Sequence, residues 1–107
     1  MAEARKISGE ELETELAKPE PAVVEFWMDG CPACARFAPT FGALAEEYDG
    51  RANLVAIEAR ENMAASQQHA IRGVPTVIVF KDGQEVERTT GAKTLAEMRE
   101  WLEPILQ

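Results

Sequence analysis

Apolar residues are grouped along the chain in runs that predict the strands of a central sheet. Three short runs, residues 22–27, 54–57 and 76–80, are almost continuously apolar. The first two are typical of central strands, which are covered on both faces. The third run leads through Lys81-Asp82-Gly83-Gln84 into residues 85–90, and an Asp-Gly pair between two strand-like segments indicates a hairpin.

Four further segments carry the start signals or the apolar spacing of helices. The first and the last begin with a capping box, in which Ser or Thr is followed three residues later by Glu: Ser8 with Glu11, and Thr94 with Glu97. Asn62 is a candidate cap for a short helix that extends through about residue 70. The longest helix begins at Cys31. Its apolar stripe consists of Phe37, Phe41, Leu44, Ala45 and Tyr48.

Prolines and glycines predict where these helices end. Lys18-Pro19-Glu20-Pro21 ends the first near residue 17, and Asp49-Gly50 ends the second. Pro39 should kink the second helix, and Pro104 should end the last at about residue 103 or bend it there. With a weak first strand at residues 4–7, the order is βαβαβαββα. That order predicts an α/β fold whose mixed sheet has helices on both faces.

Composition limits the classes of function. A chain of 107 residues is expected to form one domain, residues 1–107, with a core of its own. Its net charge of -8 repels phosphate backbones and anionic lipid, so we expect neither nucleic-acid binding nor a membrane role. No apolar run approaches the roughly 20 residues that a membrane-spanning helix needs.

The candidate chemistry lies in the two cysteines, Cys31 and Cys34. Side chains three apart on a helix have bases roughly 5–6 Å apart, and a disulfide needs Cα atoms about 4.4–6.8 Å apart. The pair can therefore close and open with little backbone movement. The first six residues contain no apolar segment of the kind found in secretory signals. We therefore expect a cytoplasmic protein whose cysteines serve redox or metal chemistry.

Metal and nucleotide binding are less favoured. Structural zinc sites use four ligands, whereas this chain offers one cysteine pair and a distant single histidine, His69. A metal cluster bridging two chains remains open as a minor alternative. No Gly-rich phosphate loop follows a strand, so we expect no bound cofactor, and a surface or packing role for His69.

The chain resembles the thioredoxin family over nearly its whole length. The resemblance is carried by Val24-Glu25-Phe26-Trp27, the Cys31-x-x-Cys34 pair, Pro39, Ile71-Arg72-Gly73-Val74-Pro75-Thr76, Phe80-Lys81-Asp82-Gly83 and Gly91. It implies a thioredoxin fold and reduction of protein disulfides by dithiol exchange. It also implies disulfide-containing protein substrates, a thioredoxin reductase or similar electron donor, and a monomer.

Cys31 is predicted to be the attacking thiol. A residue at a helix cap accepts hydrogen bonds from the backbone N–H groups two and three positions on, here those of Ala33 and Cys34. These donors and the helix dipole favour the thiolate, which is the nucleophile. Cys34 would then attack the mixed disulfide and release the substrate. The resemblance assigns the same roles to the two cysteines.

The residues between the cysteines depart from the Gly-Pro pair that thioredoxins usually carry. Pro32 occupies the first helical position, where its missing N–H costs nothing. Ala33 keeps the N–H that a proline there would remove. We expect a more acidic Cys31 and a more oxidising disulfide than in a Gly-Pro relative. Asp29 acts in the opposite direction, because a nearby carboxylate disfavours a second anion.

Glu25 is an unusual residue for a central strand. If it is buried, loss of hydration would make it retain its proton. The resemblance implies a proton acceptor for Cys34, since thioredoxins carry an Asp at the matching position. The alternative is a glutamate that reaches solvent and has no catalytic role.

Six residues are predicted to form the substrate surface: Trp27, Gly30, Pro32, Val74, Pro75 and Gly91. The resemblance implies a cis bond before Pro75 that presents the backbone of Val74 to an extended substrate strand. The alternative is an ordinary trans proline at the start of a strand. Trp27 would flank the dithiol or simply belong to the core.

The two glycines of that surface have their own expectations. Gly30 stands where thioredoxins usually have a second tryptophan, which leaves the surface barer. Gly91 would leave room for a docking chain or relieve crowding at a strand end.

Two alternatives to a thioredoxin-like reductase remain open. One is a more oxidising or glutaredoxin-like disulfide oxidoreductase, because Cys-Pro-x-Cys also occurs in those relatives. The other is a non-catalytic binding module on the same fold, since a fold does not by itself determine function.

Overall fold

The computed structural model describes residues 3–107 and contains five strands and four helices in the predicted order. They are β1 (Arg5–Lys6), α1 (Gly9–Leu16), β2 (Ala22–Trp27), α2 (Pro32–Glu47), β3 (Asn53–Glu58), α3 (Met63–Gln68), β4 (Thr76–Lys81), β5 (Gln84–Thr90) and α4 (Leu95–Leu106). Each apolar run forms an inner strand of the sheet, because an extended segment with few polar positions must be covered on both faces.

The strands form one sheet in the order β1-β3-β2-β4-β5. β1, β3 and β2 are parallel, whereas β4 and β5 run antiparallel to their neighbours. Trp27 at the end of β2 lies beside Glu58 at the end of β3, and Phe26 lies opposite Thr76 at the start of β4. One end of the sheet therefore gathers the ends of β2, β3 and β5 and the start of β4.

Alternating residues of the inner strands build two apolar layers. One layer joins Val24, Phe26 and Ile78 to Leu12 of α1 and Ala65 of α3. The other joins strand residues to α2 and α4: Val23, Val77, Val79, Phe37, Phe41, Met98 and Leu102. Helices on both faces of a mixed sheet confirm the predicted architecture.

The helix starts follow the sequence signals, with one exception. Both capping boxes form, at Ser8 with Glu11 and at Thr94 with Glu97. Asn62 occupies the cap position of α3 but makes no capping hydrogen bond. Its Oδ1 accepts instead from the backbone N–H of Gly9 at 2.8 Å, and its Nδ2 donates to the carbonyl of Glu58 at 2.9 Å. A tertiary link between α1 and β3 has replaced the local cap, and α3 ends at Gln68 rather than near residue 70.

Of the two alternatives for Pro104, an end of the last helix near residue 103 is wrong, because α4 continues to Leu106. A proline costs the hydrogen bond to the carbonyl four residues earlier, here that of the exposed Glu100. A carbonyl that can reach water loses little, and Ile105 and Leu106 pack against the second apolar layer. α2 is likewise continuous through Pro39.

The hairpin turn consists of Asp82 and Gly83, with φ angles of 53° and 78°. Two positive φ angles in succession match the twist of the flanking strands, which explains the Asp-Gly pair. Across the described range, no helix combines the length and hydrophobicity required to cross a membrane.

Candidate active site

Cys31 forms the N-cap of α2, as the sequence predicts. Its backbone is extended, with φ -93° and ψ 112°, and Pro32 occupies the first turn. The backbone N–H of Cys34 donates to the Cys31 Sγ at 3.2 Å. Gly30, with φ 78°, lets the chain reverse between the end of β2 and this cap. The loop therefore delivers the sulfur to the positive end of the helix.

The surroundings of Cys31 favour its thiolate. A hydrogen bond from the Cys34 thiol lowers the pKa of Cys31 most, followed by the backbone N–H groups of Cys34 and Ala33 and the positive charge of Arg36. Of the two donors that the capping argument predicts, the Cys34 N–H makes the capping hydrogen bond, and the Ala33 N–H helps to lower the pKa of Cys31. Both cysteines are free thiols, and Cys31 is partly exposed. A partly exposed, stabilised thiolate is the arrangement a nucleophile needs.

Cys34 lies one turn deeper and has the opposite character. Its side chain is 4% exposed. Burial raises its pKa to about 11, and the hydrogen bond to Cys31 and the charges of Cys31 and Glu25 act in the same direction. Cys34 therefore holds its proton more tightly than Cys31 does, so the two thiols are chemically distinct.

Glu25 is buried in the middle of β2, between Ala56 of β3 and Val77 of β4. It is 4% exposed, so the alternative of a glutamate that reaches solvent is wrong. Burial raises the pKa of Glu25 to about 7. Since its charge also raises the pKa of Cys34, the carboxyl group lies within electrostatic reach of that thiol.

A cavity of about 170 Å³ connects these groups. Its walls include Glu25, Trp27, Cys31 and Cys34, together with Lys6 on the β1 side. The walls are mostly apolar but include the Glu25 carboxyl group, and a space of this size can hold water molecules beside that group, which would give it a route for protons.

Sequence reasoning missed this cavity. In the parallel register, Lys6 of β1 and Glu25 of β2 both pair with Ala56 of β3, so all three lie in one row. The small Ala56 side chain, which also lines the cavity, leaves space between its neighbours. The pairing of a two-residue strand is the information that the sequence pattern did not contain.

Trp27 forms a half-buried wall of the cavity. The Lys6 Nζ lies 5.1 Å from the centre of its ring, a cation–π contact. Trp27 therefore borders the dithiol cavity, and the alternative of a core tryptophan is wrong, because this half-buried side chain belongs to neither apolar layer. Within the described residues its indole N–H is buried and has no hydrogen-bond partner.

The Val74–Pro75 peptide bond is cis, which confirms that expectation and makes the trans alternative wrong. The Pro75 carbonyl accepts from the backbone N–H of Gly91 at 2.8 Å. Since β4 begins beside the end of β2, Val74 and Pro75 lie at the dithiol end of the sheet.

Gly91 adopts a backbone conformation that favours glycine. Its φ of 103° is one that residues with a side chain rarely adopt. The nearest atom to an added Cβ would be the Lys93 Nζ at 3.9 Å, an ordinary contact. The alternative that this glycine relieves crowding is therefore wrong.

Comparison with known proteins agrees with this geometry. The thioredoxin family model matches residues 3–104. Thioredoxin 1 of Nostoc sp. is 34% identical over 83 residues, which cover 78% of this chain and 78% of that protein. The thioredoxin of Staphylococcus saprophyticus is 35% identical over 81 residues, or 76% of this chain and 78% of that protein. The chain belongs to the thioredoxin family.

Solved structures show the same fold. A point mutant of a thioredoxin from Halobacterium salinarum superimposes with a TM-score of 0.89 at 28% identity, covering 98% of this chain and 92% of that one. A thioredoxin of Malassezia sympodialis has the same TM-score at 19% identity, covering 100% and 94%, and supports the fold alone. This thioredoxin-family protein is a thiol–disulfide oxidoreductase with protein-disulfide reductase activity.

The single histidine, His69, packs against aromatic residues of the sheet. The His69 ring lies 6.2 Å from that of Phe26 and 5.4 Å from that of Phe80, and burial lowers its pKa. This agrees with the packing role expected of it. Among residues 3–107, no three His, Cys, Asp or Glu side chains are grouped so that they could hold a metal ion.

Proposed function

We propose that this protein reduces protein disulfides through Cys31 as nucleophile and Cys34 as resolving thiol. The Cys31 thiolate attacks one sulfur of the substrate disulfide, and the other sulfur leaves as a thiolate that takes up a proton. Cys34 then loses its proton and attacks the Cys31 Sγ. The second substrate thiolate leaves, so two electrons have passed to the substrate and a Cys31–Cys34 disulfide remains.

The observation that carries this proposal is the difference between the two thiols. Cys31 is partly exposed and its pKa is lowered, whereas Cys34 is buried and its pKa is raised to about 11. The first can meet a substrate as an anion, and the second becomes reactive only when something removes its proton. We assign that task to Glu25, whose pKa of about 7 suits a base at neutral pH.

Substrate would dock on Trp27, Gly30, Pro32, Val74, Pro75 and Gly91. Gly30 and Pro32 are exposed beside Cys31, and Val74 is half-buried. Within residues 3–107 the backbone N–H and C=O of Val74 make no hydrogen bond, so both are free to pair with an extended substrate segment.

The assay that tests this function is reduction of insulin disulfides with two alternative electron supplies. We expect turnover with a thioredoxin reductase and NADPH, and little turnover with glutathione and glutathione reductase. A preference for glutathione would instead indicate a glutaredoxin-like enzyme.

We further propose that the chain acts in the cytoplasm as a monomeric domain spanning residues 1–107, without a bound cofactor of its own.

The Pro32-Ala33 pair should make the disulfide more oxidising than a Gly-Pro pair would. Changing Pro32-Ala33 to Gly-Pro removes the N–H at residue 33, which is one of the donors that lower the pKa of Cys31. We expect the pKa of Cys31 to rise and the reduction potential to become more negative. Thiolate absorbance against pH, together with equilibration against glutathione, measures both quantities.

The matched control is Pro32→Gly alone, which keeps the Ala33 donor. It should change the pKa of Cys31 less than the double change does. An unchanged or lower pKa in the Gly-Pro variant would show that the Ala33 N–H contributes nothing.

A further inference from the structure

The positive charges of this acidic chain are unevenly distributed. Five of the 11 basic side chains form ion pairs with carboxylates at 2.6–2.9 Å: Arg5 and Lys18 with Glu15, Arg51 with Glu103, Arg88 with Glu85, and Arg99 with Glu47. Within residues 3–107, the other six have no carboxylate partner within 4.0 Å: Lys6, Arg36, Arg60, Arg72, Lys81 and Lys93.

Four of these unpaired cations lie on separate segments around the dithiol, and we call Arg36, Arg60, Arg72 and Lys93 the dithiol rim. Arg36 on α2 is close enough to Cys31 for its charge to lower the pKa of that thiol. The Arg60 Nη2 donates to the carbonyl of Asp29 at 3.0 Å, in the loop that leads to Cys31.

The other two rim residues flank the Val74–Pro75 bond. Arg72 is exposed two residues before Val74. The Lys93 Nζ donates to the carbonyl of Thr90 at 3.0 Å and lies beside Gly91, whose N–H binds the Pro75 carbonyl. A polypeptide docked over Cys31 and Val74 would therefore pass between these cations.

The carboxylates near the rim do not outnumber its cations. Asp29 and Glu61 are exposed nearby. Glu97 lies close enough to Lys93 for that charge to lower the pKa of Glu97, and its carboxylate accepts from the backbone N–H of Thr94. The Glu58 carboxylate accepts from the backbone N–H groups of Asp29, Arg60 and Glu61, which compensates part of its charge. On the β1 side of the cavity, Lys6 and Glu3 carry opposite charges. Unlike the rest of the surface, this end of the molecule has no acidic excess.

We propose that the dithiol rim selects substrate disulfides flanked by Asp or Glu. This inference rests on the proposed function, because the rim surrounds the thiol that would attack. At physiological salt, charges interact over roughly 8 Å. The rim charges therefore act more strongly on a docked substrate than the distant acidic surface does. Rim charges act chiefly on the rate of productive encounter and on its salt dependence.

Three disulfide peptides that differ only in the residues flanking the cysteines test the proposal. With Glu, Gln or Lys flanks, we expect kcat/KM to fall in that order, by about three- to tenfold between the extremes. The preference should shrink at high salt. Equal rates, or faster reduction of the Lys peptide, would overturn the rim proposal. If no peptide is reduced, the proposed function has failed instead.

Variants locate the effect on the rim. Arg72→Gln with Lys93→Gln should bring the Glu-to-Lys rate ratio down about two- to threefold, and Arg72→Lys should retain it. Lys81→Gln is the matched control, because Lys81 is also unpaired but lies at the hairpin, at the opposite end of β4. A ratio that falls equally in the Lys81 variant, or stays unchanged in the rim variant, would contradict selection by the rim. Equal melting temperatures would show that all variants are folded.

Discussion

A Cys31→Ser variant should lose insulin-disulfide reduction by roughly a thousandfold or more, because a serine hydroxyl is hardly ionised at neutral pH. Cys31 is the partly exposed thiol whose pKa is lowered by Cys34, by backbone N–H groups and by Arg36. The buried Cys34, with a pKa of about 11, cannot replace it as the attacking group. Reductase-coupled turnover measures the loss.

The complementary variant, Cys34→Ser, should attack substrates but fail to release them. Each chain would then hold one substrate through a mixed disulfide with Cys31, which mass spectrometry detects as a covalent adduct that reductant removes. The double Ser variant is the control and should form no adduct. Adducts on Cys34 in the Cys31→Ser variant, or full turnover in either single variant, would contradict the assigned order of attack.

The strands and the cap of Cys31 could be predicted because each depends on local information. A continuous apolar run such as residues 54–57 must be covered on both faces, whichever elements cover it. The Cys31 cap depends on donors two and three residues away, within the same turn. Asn62 shows the limit of that reasoning. Its side chain hydrogen-bonds Gly9, which is distant in sequence, and Glu58, which lies outside the helix, instead of capping α3.

The burial of Glu25 could not be decided from the sequence. Its position in β2 is apparent, but its exposure depends on which strands lie beside it and how large their side chains are. Ala56 and Val77 cover it on the two sides, and the short β1 brings Lys6 and the cavity to the same row. These are pairings between segments far apart in the chain. The hydrophobic periodicity of a single segment carries no information about them.

The second large effect is expected for Glu25→Gln, which should stabilise the protein while slowing its chemistry. Between pH 4.5 and about 7 the folded state holds a proton on Glu25 that the unfolded chain has lost. Stability therefore falls as the pH rises through this window, by about 1.4 kcal/mol per unit of pKa shift. The loss, complete above pH 7, is on the order of 3 kcal/mol. A Gln side chain carries no charge, so the variant should not lose this stability.

Melting temperature against pH measures the stability effect. The variant should exceed the wild type by roughly 15 °C at pH 8, and the two curves should converge near pH 4. Glu15→Gln is the matched control, since Glu15 is also buried, at 3% exposed. Burial pushes the pKa of Glu15 upward, but hydrogen bonds and charges of Lys18 and Arg5 outweigh it and lower that pKa. Its stabilising effect is present at neutral pH and lost in acid, so this variant should be destabilised at pH 7.

The effect on catalysis distinguishes two possible roles of Glu25: a proton acceptor, or a buried charge that only destabilises the protein. If Glu25 accepts the Cys34 proton, single-turnover release of substrate should slow by about a hundredfold in the Gln variant. The rise in the wild-type rate near pH 7, where Glu25 ionises, should also disappear. Glu15→Gln should keep both the rate and the pH profile, because it lies on α1, outside the cavity. A Glu25→Gln variant that gains stability but releases substrate at the wild-type rate across neutral pH would show that Cys34 loses its proton to another acceptor.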